Sequence, residues 1–311
     1  MDKITVVGSL NMDLTISAKT FPGAGETVPG DSFQTDCGGK GANQAISAAN
    51  LGANVSMIGC VGDDAYGKIL TENLSYHRVD TSHISVCQKA PSGVAMILLS
   101  DGDNRIIVSS GANGMLTSGD IEKSRNLLER SKIVLAQLEV PLESVVQAFE
   151  AAKKSGGFTV LNPSPIRKLP ASLLEKTDLL ILNEHEAATL TKKSIENSND
   201  AKNCISTLLS MGVKQVILTL GAQGCVYTTD SGIFTHPARK VEAVDTTGAG
   251  DSFCGAVIYA LARDIPMHDA IKLATLVSSL TVTRMGTTSA FPSLDEIKNI
   301  QKKEGISIAL S

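Results

Sequence analysis

The sequence contains few aromatic residues, little excess charge and no long apolar run. Aromatic residues make up 4% of the 311 residues, and the formal net charge is -4. Because no Lys- or Arg-rich stretch is interleaved with aromatic residues, nucleic acid is not expected as a partner. Apolar residues nowhere continue long enough for a membrane span, and no signal-like apolar segment follows Met1. We therefore expect a cytoplasmic globular protein with no membrane partner.

The six cysteines and five histidines form no familiar metal or disulfide pattern. No C-x-x-C pair occurs, which argues against a zinc site and against a disulfide framework, so the cysteines are expected to be reduced. His185-Glu186 has no second histidine at helical spacing, so the zinc-protease motif is absent as well.

Two common nucleotide-binding motifs are also missing. No G-x-G-x-x-G follows a strand pattern, which weakens the case for a dinucleotide enzyme. Residues 62–68 match G-x-x-x-x-G-K, but Ile69 replaces the Ser or Thr that would bind magnesium. Asp63 and Asp64 also place negative charge where phosphates need positive potential. This segment is therefore interpreted as a turn and the start of a helix.

The residues that are present indicate an α/β fold. Hydrophobic residues make up 42% of the chain, and short β-branched runs alternate with longer helical patterns. This alternation predicts a three-layer, doubly wound and mainly parallel sheet covered by helices on both faces. Strands are predicted at residues 4–7, 55–61, 133–138, 159–161, 179–182, 216–220 and 241–244. Helices are predicted at residues 42–51, 68–76, 142–154, 201–209, 253–261 and 269–280.

Two segments interrupt the alternation and predict a small antiparallel β lid. Residues 15–36 contain Pro-Gly turns, and residues 91–109 contain a hairpin pattern that turns at 101–104. The remaining residues, 1–14, 37–90 and 110–311, are assigned to the α/β domain. A small sheet with open edges should cover a site, pair with a second copy, or do both. We expect a homodimer through this lid, because apolar residues alternate along the hairpin arms: Val94, Met96, Leu98, Ile106 and Val108.

The segment Asp245-Thr246-Thr247-Gly248-Ala249-Gly250-Asp251 predicts an anion site at a helix start. Its small residues leave consecutive N–H groups uncovered, and the following helix adds its positive end. Asp251 could accept a proton from a hydroxyl while the amides stabilise negative charge on the group under attack. This combination indicates phosphoryl transfer to an alcohol. The alternative is a glycine turn in which Asp251 is an ordinary helix N-cap.

Polar residues follow several predicted strands, and a second glycine cluster precedes the first long helix. Because the carboxyl ends of parallel strands share one edge of a sheet, we expect these strand-end residues to converge. They are Asn11, Asp13, Glu139, Asn183, Thr219 and Asp245. Residues 38–43, GGKGAN, would allow close backbone approach to a ligand and would supply Lys40 and Asn43. The alternative is a flexible hinge with a solvated lysine.

Taken together, these segments resemble the ribokinase branch of the PfkB family of sugar kinases, over nearly the whole chain. The matching segments are residues 8–13, GGKGANQA at 38–45, QLE at 137–139, NEHE at 183–186, TLG at 219–221 and DTTGAGDSF at 245–253. The resemblance implies a ribokinase-like α/β sheet with a β lid, and ATP-dependent phosphorylation of D-ribose at O5. Asp251 would be the general base, and the amides of Gly248, Ala249 and Gly250 would form the anion hole.

The resemblance also assigns the ligand-binding residues. The sugar would be held by Asn11, Met12, Asp13, Gly39, Lys40, Gly41, Ala42, Asn43, Glu139 and Asp251. ATP would be held by Asn183, Glu186, Thr219, Leu220, Gly221, Ala222, Gln223, Gly224, Gly250, Asp251 and Thr275, with Glu186 organising water around Mg²⁺. An activating K⁺ would be held by Asp245, Thr247, Thr281, Arg284, Gly286 and Ala290. The carboxylate of Asp245 would otherwise be unpaired beside an anion site.

Two other functions stay open from the sequence. A kinase of the same fold could act on deoxyribose, fructose or a nucleoside. The low aromatic content favours a free sugar, because a nucleoside pocket would need aromatic surfaces for the base. A sugar-sensing protein without turnover is the other alternative, and it would require a damaged catalytic residue. Asp251, Lys40 and the glycines are all intact.

Overall fold

The structure is a computed structural model that describes residues 3–100 and 103–308. Asp101 and Gly102, part of the predicted hairpin turn, lie outside the described residues. The strands are β1 (Lys3–Val7), β2 (Asn11–Ser17), β3 (Ser32–Gly38), β4 (Asn54–Gly62), β5 (Asp80–Cys87), β6 (Gly93–Ser100), β7 (Asp103–Ser109), β8 (Ile133–Ala136), β9 (Phe158–Leu161), β10 (Leu179–Asn183), β11 (Gln215–Thr219), β12 (Cys225–Thr229) and β13 (Gly232–His236). The α-helices are α1 (Lys40–Asn50), α2 (Ala65–Tyr76), α3 (Ser118–Lys123), α4 (Arg125–Glu129), α5 (Leu142–Lys154), α6 (Ala171–Leu174), α7 (Glu184–Thr191), α8 (Ser198–Ser210), α9 (Ala249–Ala262), α10 (Met267–Thr281) and α11 (Leu294–Glu304).

A nine-stranded sheet forms the centre of the molecule, in the order β13-β12-β11-β10-β9-β8-β1-β4-β5. The pairs from β11 through β5 are parallel, and the hairpin β12–β13 adds an antiparallel edge. Alternate residues of β1 enter two different cores, with Ile4 and Val6 on one face and Val7 on the other. Strands buried on both faces require helices on both sides. The predicted three-layer α/β class is confirmed.

The two helical layers bury different parts of the chain. Residues of α1, α9 and α10 pack in the core that contains Ile4, and residues of α5 and α8 pack in the core that contains Val7. Among the described residues, no helix combines the length and apolarity needed to cross a bilayer.

The prediction of a strand at residues 241–244 is wrong. This segment has no regular structure, and Val241 and Val244 are both exposed. The backbone N–H of Val244 donates to the carbonyl of Val282 at 2.7 Å, so the segment lies beside the end of α10 and not in the sheet. Val241 and Ala243 line a cavity, so part of this apolar run faces a pocket outside the sheet.

A separate four-stranded sheet, in the order β3-β2-β6-β7, forms the small β unit. It includes residues 11–14 and 37–38, which the predicted division gave to the α/β domain. The pairing of β6 with β7 places Met96 opposite Ile107, and Ile97 opposite Ile106. Because side chains alternate along each strand, Val94, Met96 and Leu98 lie on one face of the hairpin, and Ile106 and Val108 lie on the other.

Candidate active site

The start of α9 has the geometry of an anion site. Gly248 is the N-cap residue, with φ 75°, and a Cβ there would lie 2.9 Å from Cγ2 of Thr287. Gly250 faces open space, so a ligand can approach its backbone. The N–H groups of a first helical turn lack intrahelical partners and carry the positive end of the helix dipole. The N–H of Ala249 also donates to the carbonyl of Thr246 at 3.3 Å.

Asp251 is the third residue of α9, and its carboxylate lies at the edge of this anion site. The helix has no side-chain cap, so the alternative that Asp251 is an ordinary N-cap is wrong. The side chain is 8% exposed and lines a cavity of about 230 Å³. Its Oδ2 accepts a hydrogen bond from Asn43 Nδ2 at 2.9 Å, and its Oδ1 accepts one from Gln44 Nε2 at 2.8 Å. Helix α1 therefore holds the carboxylate in place.

The glycines at residues 38–41 allow α1 to begin against the β1–β2 connection. Gly39 has φ 95°, and a Cβ there would lie 2.8 Å from the backbone atoms Asn11 N and Ser9 O. A Cβ on Gly38 would lie 2.1 Å from Oδ2 of Asp13. Both glycines are buried, so the segment is packed against its neighbours and is not a solvated hinge.

The residues predicted to hold a sugar come together at this point. Asn11 is buried, and its Oδ1 accepts a hydrogen bond from Asn113 Nδ2 at 2.7 Å. Oε2 of Glu139 accepts bonds from Ser9 Oγ at 2.5 Å and from the backbone N–H of Lys40 at 3.2 Å. Met12 and Ala42 belong to the core, so their side chains pack inward.

Asp13 and Lys40 are opposite charges in the same partly buried region. The pKa of Asp13 is raised to about 7, chiefly by burial. The negative charges of Glu139, Asp36 and Asp251 also raise it, and Lys40 lowers it. For Lys40, burial favours the neutral form, but the carboxylates of Asp251 and Glu139 outweigh it and raise the pKa. Lys40 therefore stays protonated near neutral pH.

A second cavity, of about 320 Å³, adjoins the first at the start of α9. Both cavities are lined by Thr219, Thr246, Ala249 and Gly250. The second cavity contains further residues predicted to bind ATP, namely Gly221, Ala222, Gly224 and Thr275. Leu220 and Gln223 do not line it, and Leu220 is buried, with its N–H bonded to the carbonyl of Gly224 at 2.7 Å.

Asn183 and Glu186 line the smaller cavity and also cap α7. Asn183 Oδ1 accepts from the N–H of Glu186 at 2.9 Å, and Glu186 Oε2 accepts from the N–H of Asn183 at 3.0 Å. This reciprocal capping box fixes both side chains at the carboxyl end of β10. Asn183 pairs in register with Thr219 of the neighbouring strand, so these two of the predicted strand-end residues lie side by side.

Asp245 links two loops behind the anion site. Its Oδ1 accepts from the N–H of Thr247 at 2.9 Å, and its Oδ2 accepts from the N–H of Gly286 at 3.1 Å. Burial opposes ionisation, but these hydrogen bonds outweigh it and lower the pKa of Asp245. The expectation that this carboxylate would otherwise be unpaired is therefore wrong.

The other residues predicted for a K⁺ site lie on the loop that follows α10 or at the end of that helix. Thr281 is buried, and its Oγ1 lies 3.0 Å from both Ser252 Oγ and the carbonyl of Val277. Arg284 forms an ion pair with Glu296 and donates to the carbonyl of Ala290 at 3.4 Å.

Several residues of the site were not predicted. Gln44, Gln137 and Asn162 form a buried amide chain that reaches Asp251. Gln44 and Gln137 stand within matched segments, so their positions were available, but nothing in the sequence indicated their contacts. Arg239 lines the larger cavity and Asn113 bonds to Asn11, and no pattern in the sequence pointed to either.

Comparison with known proteins agrees with this arrangement. Residues 1–294 match the family described as pfkB family carbohydrate kinase. The chain belongs to the pfkB family of carbohydrate kinases. It is 40% identical to a ribokinase of Schizosaccharomyces pombe, covering 96% of this chain and 97% of that protein. A deoxyribokinase of Salmonella typhi is 35% identical, with 94% and 96% covered.

The fold of this chain is also similar to that of solved ribokinase structures. The structure of Arabidopsis thaliana ribokinase complexed with ribose and ATP superposes with a TM-score of 0.89 at 30% identity, covering 96% of this chain and 98% of that chain. The resemblance to the PfkB family and the ribokinase-like fold predicted from the motifs are confirmed.

Proposed function

We propose that this protein transfers the γ-phosphoryl group of ATP to O5 of D-ribose, giving D-ribose 5-phosphate and ADP. The observation that carries the proposal is the position of Asp251. Its carboxylate lines a cavity at the start of α9, and the sugar-side residue Asn43 bonds to it at 2.9 Å. The ribokinases among the relatives support ribose as the sugar.

The reaction requires positioning more than covalent chemistry from the protein. O5 of the sugar attacks the γ-phosphorus in line, the bond to the β,γ-bridging oxygen breaks, and ADP leaves with that oxygen. Asp251 takes the proton from O5, and the amides at Gly248, Ala249 and Gly250 lie where negative charge develops. Lys40, which is kept protonated by the surrounding carboxylates, adds positive charge to the same cavity.

Asp13 favours a sugar that offers more than one hydroxyl. In residues 3–100 and 103–308, no side chain or backbone N–H bonds to its carboxylate. A partly buried carboxylate is stabilised when hydroxyl groups donate hydrogen bonds to both of its oxygens. A sugar that lacks one of two adjacent hydroxyls would leave one carboxylate oxygen without a hydrogen bond. We therefore place ribose ahead of deoxyribose, although a deoxyribokinase is among the relatives.

ATP would occupy the cavity of about 320 Å³, with its phosphates toward Gly250 and the smaller cavity, because the two cavities adjoin at the start of α9. Mg²⁺ would be held by the phosphates and, through water, by Glu186, whose carboxylate is buried in that smaller cavity. A single carboxylate suits a cation that retains most of its water ligands. The ion would neutralise charge on the transferring group.

A K⁺ ion would sit among oxygens of the two loops that Asp245 links, with ligands from Asp245, Thr247, Thr281, Arg284, Gly286 and Ala290. The support is that Asp245 brings these loops together, and that backbone carbonyl and carboxylate oxygens are the ligands that suit a hard cation. Each oxygen of Asp245 accepts one N–H bond and keeps a second lone pair.

The four-stranded sheet would act as the lid and as a homodimer contact in a cytoplasmic enzyme. The proposed dimer contact is supported by exposed apolar residues on both faces of β7, where Ile106 is 54% and Ile107 is 68% exposed. Patches of this kind on a small sheet are covered in most native proteins. Asn11 and Asp13 lie on β2 of the same sheet, so lid position and sugar binding would be coupled.

The proposal is tested by measuring ADP formation from ATP and Mg²⁺ with ribose, deoxyribose, fructose or adenosine, in K⁺ and in Na⁺. We expect the highest kcat/KM with ribose and a higher rate in K⁺. A higher kcat/KM with another acceptor would identify a different kinase of this family. No ADP formation with any acceptor would support the sugar-sensing alternative, and equal rates in both salts would contradict the K⁺ site.

A further inference from the structure

A chain of buried amides lies behind the carboxylate of Asp251. Gln44 Nε2 donates to Asp251 Oδ1 at 2.8 Å and to Asn162 Oδ1 at 2.9 Å. Gln137 Nε2 donates to Gln44 Oε1 at 2.6 Å. Gln44 and Gln137 are completely buried, and Asn162 is 9% exposed. These three side chains come from α1 and from the segments after β8 and β9.

The direction of every bond in this chain is fixed by its ends. The carboxylate of Asp251 is one end, and the other is the carbonyl of Ile181, which accepts from Asn162 Nδ2 at 2.9 Å. Both groups accept hydrogen bonds only. Asn162 must therefore turn its oxygen toward Gln44, and Gln44 must use both hydrogens of its NH₂ group. Oε1 of Gln44 then faces the NH₂ group of Gln137.

One atom shows what this arrangement costs. Within the described part of the chain, Oε1 of Gln137 is buried without a hydrogen-bond partner. It packs against Gly8, where a Cβ would lie only 2.1 Å away. An unpaired buried carbonyl oxygen costs roughly 1–3 kcal/mol. Gln137 therefore keeps an orientation in which its oxygen has no hydrogen-bond partner. This indicates that the hydrogen bond from its NH₂ group to Gln44 is the contact that matters.

We propose that Gln44 is a positioning residue for the Asp251 carboxylate and that Gln137 and Asn162 hold its amide in the one orientation that donates to Asp251. The inference rests on the proposed phosphoryl transfer. If the Gln44 amide turned over, its oxygen would face a carboxylate oxygen at hydrogen-bond distance, and the repulsion would rotate the base away from the sugar. Gln44 acts through Asp251 and does not touch the substrate.

The test compares kcat and the ribose KM of Gln44→Met and Gln137→Met with those of the unmodified enzyme. Loss of positioning lowers kcat, because small displacements of a catalytic group cost up to about 10²-fold. We expect kcat of Gln44→Met to fall by at least about 10-fold, and kcat of Gln137→Met to fall by about 3-fold to 10-fold. The ribose KM should change by less than about 3-fold in both variants.

The double variant separates positioning from general loss of structure. If Gln137 acts through Gln44, Gln137→Met should have almost no further effect on kcat when Gln44 is already Met. Equal effects of Gln137→Met in both backgrounds would overturn the inference, as would a Gln44→Met enzyme whose kcat stays within about 2-fold.

Ser47→Ala is the matched control on the same helix. Ser47 is buried, and its Oγ donates to the carbonyl of Ser252 at 3.1 Å, so the variant also removes an α1–α9 hydrogen bond. We expect it to lower Tm without lowering kcat, and a fall in kcat equal to that of Gln44→Met would contradict the inference. Failure of the unmodified protein to phosphorylate any sugar would instead contradict the proposed function.

Discussion

At the scale of single residues, the sugar side of the site contains a carboxylate that opposes the stability of the folded chain. The pKa of Asp13 is raised to about 7 by burial and by neighbouring carboxylates. An acid that binds its proton more tightly in the folded state lowers the stability as it ionises. For Asp13, this loss develops as pH rises from about 4, its ordinary pKa, to about 7.

We predict that Asp13→Asn raises the stability of the ligand-free protein at pH 8 and lowers its activity. The neutral amide avoids the cost of ionisation, and a gain of about 1 kcal/mol would raise Tm by about 2 °C in a chain of this length. The gain should shrink toward pH 4, where Asp13 is protonated. The ribose kcat/KM should fall at least about 10-fold, because a hydrogen bond to a charged group is lost.

Thermal unfolding at pH 4 and at pH 8, with ribose kinetics at pH 8, checks this prediction. A variant that is less stable than the unmodified protein at pH 8 would show that the Asp13 carboxylate stabilises the fold.

The residues found from the sequence share one property. Asp251, Lys40 and Asn43 stand in short glycine-rich segments. Such segments are typical of places where the backbone approaches a ligand, so a binding role for these residues could be inferred from neighbouring residues in the sequence. Gln44 and Asn113 act through side chains that are distant in sequence from their partners, 207 residues in the case of Gln44 and Asp251. Local patterns do not contain such contacts, and they became visible only in three dimensions.

At the scale of elements, two helix starts build the site, and each needs glycine for a different reason. At α9, Gly248 adopts a positive φ and Gly250 leaves open space for a ligand. At α1, Gly39 allows the backbone to pass within van der Waals distance of Ser9 and Asn11. The first arrangement admits substrate, and the second fixes where Lys40 and Asn43 begin their helix.

We predict that Gly39→Ala destabilises the protein much more than Gly25→Ala. Both glycines have positive φ, 95° and 79°, so both variants are strained. Only at Gly39 would the new Cβ meet backbone atoms, at 2.8 Å, whereas Gly25 has nothing within 4 Å. We expect a cost of about 1 kcal/mol at Gly25 and at least about 2–3 kcal/mol at Gly39.

Chemical denaturation of the two variants measures the difference. Similar costs at both positions would mean that the start of α1 can shift to accept a side chain, and the close packing would then not define the site.

The prediction of strands succeeded where an apolar run in the sequence is buried in the structure, and it failed where such a run is exposed. The strands β1, β8, β10 and β11 are apolar runs buried on both faces, and each was predicted. Residues 241–244, VEAV, also contain two β-branched residues, but all four are exposed, and Val241 and Ala243 line the nucleotide-side cavity. Composition alone does not distinguish a buried strand from an apolar cavity wall.

At the scale of the whole molecule, the small sheet is joined to the α/β domain at the site itself. The strand β2 carries Asn11 and Asp13 near its start, and it pairs with β3 and β6 of the small sheet and not with the main sheet. At the far edge, every residue of β7 is exposed. The exposed edge would be protected by a second copy of the chain.

We predict that Ile107→Asp converts a dimer to monomers. A carboxylate in an apolar contact is costly to desolvate, so the association should weaken by orders of magnitude. The control is Tyr76→Asp, which changes a residue that is 82% exposed at the end of α2 in the α/β domain. Sedimentation at micromolar concentration should show monomers for Ile107→Asp and dimers for Tyr76→Asp.

An unmodified protein that sediments as a monomer would contradict the dimer, and the small sheet would then serve only as a cover for the site.

The central claim is that the carboxylate of Asp251 takes the proton from the sugar at the start of α9. The most direct measurement is the turnover of Asp251→Asn in saturating ATP, Mg²⁺ and ribose, together with calorimetric titration of ribose. We expect ribose binding to persist and kcat to fall by at least the 10²- to 10⁴-fold range that a general base contributes. Turnover within about 10-fold of the unmodified enzyme would contradict the assignment of Asp251 as the base.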